Sequence, residues 1–342
     1  RVVAFGGALL LCHAAGARQY AITDEVIGEL GLTTTVRTDT IADIARAYSQ
    51  GYNEMRLANP AVDPWLTGDD TEVVIPSQYV LPKAPREGII INIPEMRMYH
   101  FLPAGKGETR QVATYPISIG RQDWSTPHGA TTVVSKVKDP SWTPPASIRK
   151  EHAAMGEILP AVVPPGPKNP LGAYTLKLGF SGYMIHGTDK PYGIGMRVTH
   201  GCMRMYPNDI ETVFRSVPVG TTVRLVNQPF KVGVLQDRLL LEVHPALEED
   251  EQRITAAQFT TVVNLLAPYA ERYTLNLDWK ALRAAVYQKT GVPVQIGTLA
   301  SRMPEPEDFG ARNAGMELGR ALRMQGSKKR TPHKRGSSCM EA

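Results

Sequence analysis

The chain has 342 residues, 42% apolar and 21% charged, which fits two or three ordinary globular domains and excludes a disordered chain, a coiled coil or a multi-span membrane protein. The net charge is +5, but residues 301–342 carry nine Lys/Arg against five Asp/Glu. The rest is therefore nearly neutral, which argues against a nucleic-acid-binding core. Three cysteines, Cys12, Cys202 and Cys339, are too few for a disulfide framework.

Residues 1–17 read as a secretory signal peptide whose basic start is truncated. An apolar run from Val2 to Cys12 precedes Ala15-Gly16-Ala17, with small residues at both positions of a cleavage site. The alternative is a buried helix. The run is too short to span a bilayer, as is every later one, so a soluble exported protein is expected.

Residues 33–76 read strand, helix, helix, strand. Thr34-Thr35-Val36 is the opening strand. Asp39 or Thr40 caps a helix with Ile41, Ile44, Ala45 and Tyr48 on one face. A second helix runs over 53–58 and stops before Asn59-Pro60, and Val73-Val74-Ile75-Pro76 closes the unit.

Residues 86–227 read as mostly β. Strands are predicted around 88–93, 97–101, 111–117, 130–136, 173–178, 183–186 and 219–226, with Gly105-Lys106-Gly107 as a hairpin turn. Only one helix is predicted, capped by Asn208, with Ile210, Val213, Phe214 and Val217 on one face. Residues 140–170 hold eight prolines and are predicted to form neither helix nor strand. Their Trp142, Ile148, Met155 and Leu159 favour a lid or groove wall over a solvated linker.

The chemistry concentrates in Ile185-His186-Gly187-Thr188 and Thr199-His200-Gly201-Cys202-Met203-Arg204. No second cysteine or acidic residue stands at metal-ligand spacing, so neither a metal nor another cofactor is implied. A catalytic thiol needs only a base and oxyanion donors. Histidine serves as the base, and glycine lets backbone amides approach a carbonyl. A buried structural cysteine is the competing reading, although an unpaired cysteine is a liability in an oxidising compartment. His100 and His152 show no partner in the sequence, and His128 reads as a positional residue of the turn Thr126-Pro127-His128-Gly129.

Residues 228–300 combine strands at 231–234 and 239–243 with two amphipathic helices. Phe259, Val262, Val263 and Leu266 share a face of the first. The second is capped by Asp278, carries Leu282 and Val286, and ends at Gly291. This predicts a small α+β region, followed by a basic disordered tail over 301–342.

The paired motifs around His186 and Cys202 resemble the signature of the L,D-transpeptidases, the YkuD-domain family. Pro140-Ser141-Trp142-Thr143-Pro144-Pro145 and the proline-rich 164–172 stretch are similar to its Gram-negative branch. Residues 33–76 resemble a LysM module, although no glycine precedes Asp39 and a structural unit without glycan affinity is the alternative. The resemblance implies a YkuD-like β-sandwich with one helix and a Pro-rich lid, a βααβ LysM-like module and an α+β C-terminal region. It implies Cys202 as nucleophile and His186 as base, with His200 as the alternative base. His200 and Gly201, with the Cys202 amide, would shape the oxyanion site. Thr199, Gly187 and Arg204 would organise the pocket, Arg204 either facing a substrate carboxylate or being purely structural. The implied substrates are peptidoglycan stem peptides in the periplasm, with carbapenems as covalent inhibitors. The acyl acceptor would be the C-terminal lysine of an outer-membrane lipoprotein, another stem, or water, which would make the enzyme an L,D-carboxypeptidase. A peptidoglycan-binding protein with an idle catalytic domain is the reading from another class.

Overall fold

The computed structural model describes residues 18–301; the signal-peptide and basic-tail expectations, with Cys12 and Cys339, lie outside them. The chain is predominantly β with several helices. No helix among the described residues is long and apolar enough to cross a membrane.

The main sheet has nine strands in the order Arg18–Ala21, Gln111–Pro116, Arg97–Phe101, Gly88–Asn92, Thr222–Val226, Gly129–Lys138, Tyr174–Leu178, Met184–His186 and Met203–Arg204. Its apolar run Ile89-Ile90-Ile91 is buried on both faces. Ile89 and Ile91 join the central core, whereas Ile90 packs with Ile27, Tyr79 and Leu81, as the two-residue period of a strand requires. Gly129–Lys138 turns the sheet into two layers. Residues 129–132 pair with Thr222–Val226, and residues 133–138 pair with Tyr174–Leu178 across a register shift at Val133/Ser135. Between the layers lie Ile89, Met98, Tyr115, Leu176, Ile185 and Met203.

The predicted single helix of this region is corrected to two. The helix near the nucleophile is Pro207–Ser216, begun by Pro207 rather than capped by Asn208. Proline's missing N–H costs nothing in the first turn and its φ is already helical. It buries Ile210, Val213 and Val217, while Phe214 is only partly buried. The second helix, Ala146–Ala154, sits inside the proline-rich segment, contrary to expectation. The prolines flank it at 140–145 and 160–170 and leave 146–159 free of them. Trp142 bridges Val163, closing the base of this excursion, and Asn169 Nδ2 donates to the Pro140 and Pro164 carbonyls.

Residues 31–75 form a strand–helix–helix–strand unit. The opening strand is Gly31–Thr34 rather than 34–36, paired with Glu72–Ile75; Thr35 instead spends its hydroxyl on the Gly68 carbonyl. Thr40 and Asp43 form a capping box on helix Ile41–Ala47. Asn59 ends helix Tyr52–Ala58 by bonding Met55 O and both backbone groups of Val74. This unit is fastened to the main sheet by Arg97.

Residues 230–301 form a four-stranded sheet, Phe230–Leu235, Arg238–Val243, Val294–Ser301 and Tyr273–Leu277, with helices Glu251–Ala270 and Trp279–Gln288 packed on it. Val262, Leu266, Leu282 and Val286 are buried as predicted. Val263 is instead exposed, because the stripe runs from Gln258 through Val262 and Leu266 to Tyr269. The second helix ends at Gln288, with Lys289 left-handed. Lys231 Nζ lies 2.7 Å from both Glu95 and Glu242, and Glu242 also bonds His244 at 2.6 Å. Each carboxylate lost to solvent here has a counter-charge, which burial demands.

Candidate active site

The nucleophile candidate enters on the edge strand. Met203–Arg204 runs parallel to Met184–His186, with Ile185 opposite Met203 and His186 opposite Arg204. Ile185 and Met203 point into the core. By the period of two, Cys202, Arg204, Met184 and His186 share the other face. Cys202 lies sixteen positions after His186, and this strand pairing puts both on one face, with His186 opposite Arg204 and Cys202 one position before Met203.

Two hydroxyls shape the turn before Cys202. Thr199 Oγ1 donates to the Cys202 carbonyl at 2.6 Å, and Thr126 Oγ1 donates to the Gly201 carbonyl at 3.1 Å. Gly201 is left-handed at φ +93°, and a Cβ there would lie 2.8 Å from the Tyr183 ring, so only glycine fits. Among the described residues, no loop hydrogen bond engages the Gly201 and Cys202 amides. Both amides, on the cysteine and on the residue before it, are thus without a protein acceptor among the described residues.

His186 is buried, and its Nδ1 lies 2.7 Å from the Gly187 carbonyl. A carbonyl only accepts, so Nδ1 carries the hydrogen and Nε2 of the neutral ring is left with its lone pair. Burial, and then the Arg204 charge, push the His186 pKa down to about 3. Burial pushes the Cys202 thiol up, partly offset by the Met184 backbone and Arg204. Cys202 Sγ lies 3.7 Å from the Gly182 carbonyl. Both shifts favour a neutral thiol and a neutral imidazole over an ion pair.

Arg204 is mostly withdrawn from solvent, and burial lowers its pKa. Its Nε has no hydrogen-bond partner among the described residues. Its charge is felt by both His186 and Cys202. Gly187 closely approaches Gly172, whose own Cβ would lie 2.8 Å from the Thr188 amide. A cavity of about 280 Å³ opens beside it, lined by Asn169, Gly172, Thr188 and Asp189.

His200 points elsewhere. Its Nε2 lies 3.0 Å from Glu151 Oε2 and 3.3 Å from Arg121, and Trp124 packs edge-on at 5.1 Å between centroids. Glu151, Arg121 and Trp124 were not legible in the sequence, since no spacing rule joins 121, 151 and 200. His128 is exposed at the start of a strand, His100 is buried in the main sheet, and His152 pairs with Glu157 at 2.7 Å. The group of side chains placed to share a cation among the described residues is Glu95, Glu242 and His244, where the Lys231 ammonium already contacts both carboxylates. A larger cavity of about 1220 Å³ lies against helix Tyr52–Ala58 and includes none of Cys202, His186 and His200.

Residues 86–225 match the YkuD family, described as the L,D-transpeptidase catalytic domain. The chain is 36% identical over 305 residues to a protein of Escherichia coli named "Probable L,D-transpeptidase ErfK/SrfK", covering 86% of this chain and 96% of that one. It is 39% identical over 261 residues to the E. coli relative YcfS (74% and 79% covered) and 36% identical over 292 residues to YbiS (83% and 94% covered).

Proposed function

The chain belongs to the L,D-transpeptidase family, and from that premise we propose that Cys202 attacks the stem peptide of peptidoglycan at its diamino acid–D-Ala bond. The observation that carries this reading is the shared face of Cys202, His186 and Arg204, with the Gly201 and Cys202 amides without a protein acceptor among the described residues.

His186 Nε2 takes the thiol proton as sulfur attacks the carbonyl carbon. A neutral resting pair makes this transfer part of the attack rather than a prior step. Negative charge on the carbonyl oxygen is received by the two amides. Collapse breaks the C–N bond, His186 returns the proton to the leaving D-Ala amine, and a thioester remains on Cys202. An incoming amine, deprotonated by His186, then takes the acyl group and frees the thiol. Arg204, with no protein partner at Nε, receives a substrate carboxylate. The lipoprotein lysine is the acceptor favoured here, over a second stem giving a 3→3 cross-link or water.

The unit over 31–75, LysM-like in element order, holds the enzyme near glycan, and the periplasm is the compartment. Intact-protein mass spectrometry with a carbapenem tests the catalytic reading. One adduct on the wild type and none on Cys202→Ser is expected; an unmodified wild type overturns it. Comparing muropeptides and lipoprotein attachment with and without the gene tests the acceptor. A change confined to 3→3 cross-links overturns the lipoprotein choice.

A further inference from the structure

Within the proline-rich excursion over 140–170, helix Ala146–Ala154 reaches His200 through the side chain of Glu151. Helix Ala146–Ala154 buries only Ile148, so apolar packing ties it weakly to the domain. Its Glu151 Oε2 accepts from Arg121 at 2.5 Å and lies 3.0 Å from His200 Nε2. Arg121 has no lone pair to offer, and its hydrogen bond, then that of His200, holds the Glu151 carboxyl down at about 2. An ionised carboxylate only accepts. At 3.0 Å Glu151 Oε2 calls for a hydrogen on His200 Nε2, whereas Arg121 NH2, 3.3 Å from the same nitrogen, can only donate; the shorter contact favours the Nε2–H tautomer. With Trp124 packed against the ring, the imidazole is held at its edge and across its face.

His200 is also the second residue of the turn that Thr199 closes onto Cys202. Gripping its ring from outside fixes the backbone that presents the Gly201 and Cys202 amides.

We propose that Glu151 is a positioning residue for His200: from the proline-rich excursion it holds the imidazole, and through it the turn bearing the oxyanion donors, in the geometry that acylation needs. This rests on the reading of Cys202 as nucleophile. The competing role is a fastener that merely keeps helix Ala146–Ala154 seated. Ile148→Ala provides that comparison, because it loosens the helix without touching His200.

The test is the rate of Cys202 acylation by a carbapenem, followed by mass spectrometry, in full-length variants whose melting temperatures are checked. Glu151→Ala is expected to slow acylation about tenfold, the scale of one hydrogen bond to a charged group. Glu151→Gln, whose amide oxygen still accepts from Nε2–H, is expected to recover part of that loss. In a His200→Ala background, Glu151→Ala is expected to add nothing, whereas Ile148→Ala keeps its own effect. Unchanged acylation in Glu151→Ala, or the same loss with and without His200, overturns the inference and leaves the Cys202 reading intact. The ring ¹⁵N shifts of His200 provide a readout independent of acylation. They are expected to show Nε2–H in the wild type and a shifted tautomer balance in Glu151→Ala. Identical spectra overturn the assignment.

Discussion

The hydroxyl of Thr199 donates to the carbonyl of Cys202 across 2.6 Å, so a buried side chain three residues upstream closes the turn that carries the thiol. Thr199→Ser keeps that donor and is expected to acylate within about twofold of wild type. Thr199→Val is nearly isosteric but leaves a carbonyl without its partner, a loss on the order of 1–3 kcal/mol. Its acylation rate is expected to fall at least tenfold, measured by stopped-flow with a chromogenic β-lactam.

For the base, His186→Ala is expected to slow acylation by about 10²–10⁴-fold near neutral pH, with partial recovery as hydroxide ionises the thiol. His200→Ala should recover less, since an oxyanion defect acts after the sulfur is ready. Cys202→Ser should be nearly inactive at any accessible pH. Recovery of His200→Ala without recovery of His186→Ala would exchange their roles.

The resting protonation state has its own signature. Burial raises the Cys202 thiol and holds His186 neutral down to about pH 3. Thiolate absorbance near 240 nm, taken as the difference from Cys202→Ser, is therefore expected to be absent at pH 7 and to rise only above the ordinary thiol range of about 8.5. A plateau already present at pH 6 would mean a preformed ion pair.

His100 is buried in the main sheet, and burial depresses its pKa from 6.5 to about 4. The unfolded chain then binds a proton that the folded chain refuses between about pH 6.5 and 4, so stability falls as pH falls through that window. The contribution is on the order of 3 kcal/mol at the acid end. His100→Leu is expected to flatten that part of the stability curve, measured by urea denaturation at pH 7 and pH 4.5. An unchanged difference between the two pH values would assign the acid loss to other groups.

Arg97 and Glu54 pair twice, Nε to Oε1 and NH2 to Oε2, both at 2.7 Å and both out of solvent. The pair joins the 31–75 unit to the main sheet. Arg97→Met leaves Glu54 buried and uncompensated, a loss of about 3–5 kcal/mol. Adding Glu54→Leu is expected to restore part of it. Denaturant midpoints of the two variants check this, and equal midpoints for both would contradict it.

Local physics made much of this molecule legible in its sequence. Apolar runs placed the strands at 88–92, 97–101 and 111–116, the capping pattern placed the helix at Ile41, and Asp278 began the helix at Trp279, because each is decided by near neighbours in the chain. The motif around His186 and Cys202 pointed to candidate reactive side chains because their types, not their surroundings, carry the chemistry. Tertiary structure decided the rest. The helix at Ala146–Ala154 forms where flanking prolines hid a proline-free stretch, and Val263 turns outward because the helix sets its stripe by what it packs against. The link from Glu151 and Arg121 to His200 joins three distant segments through space. The direction of each pKa shift likewise depends on burial and on charges brought from other strands, which no run of consecutive residues contains.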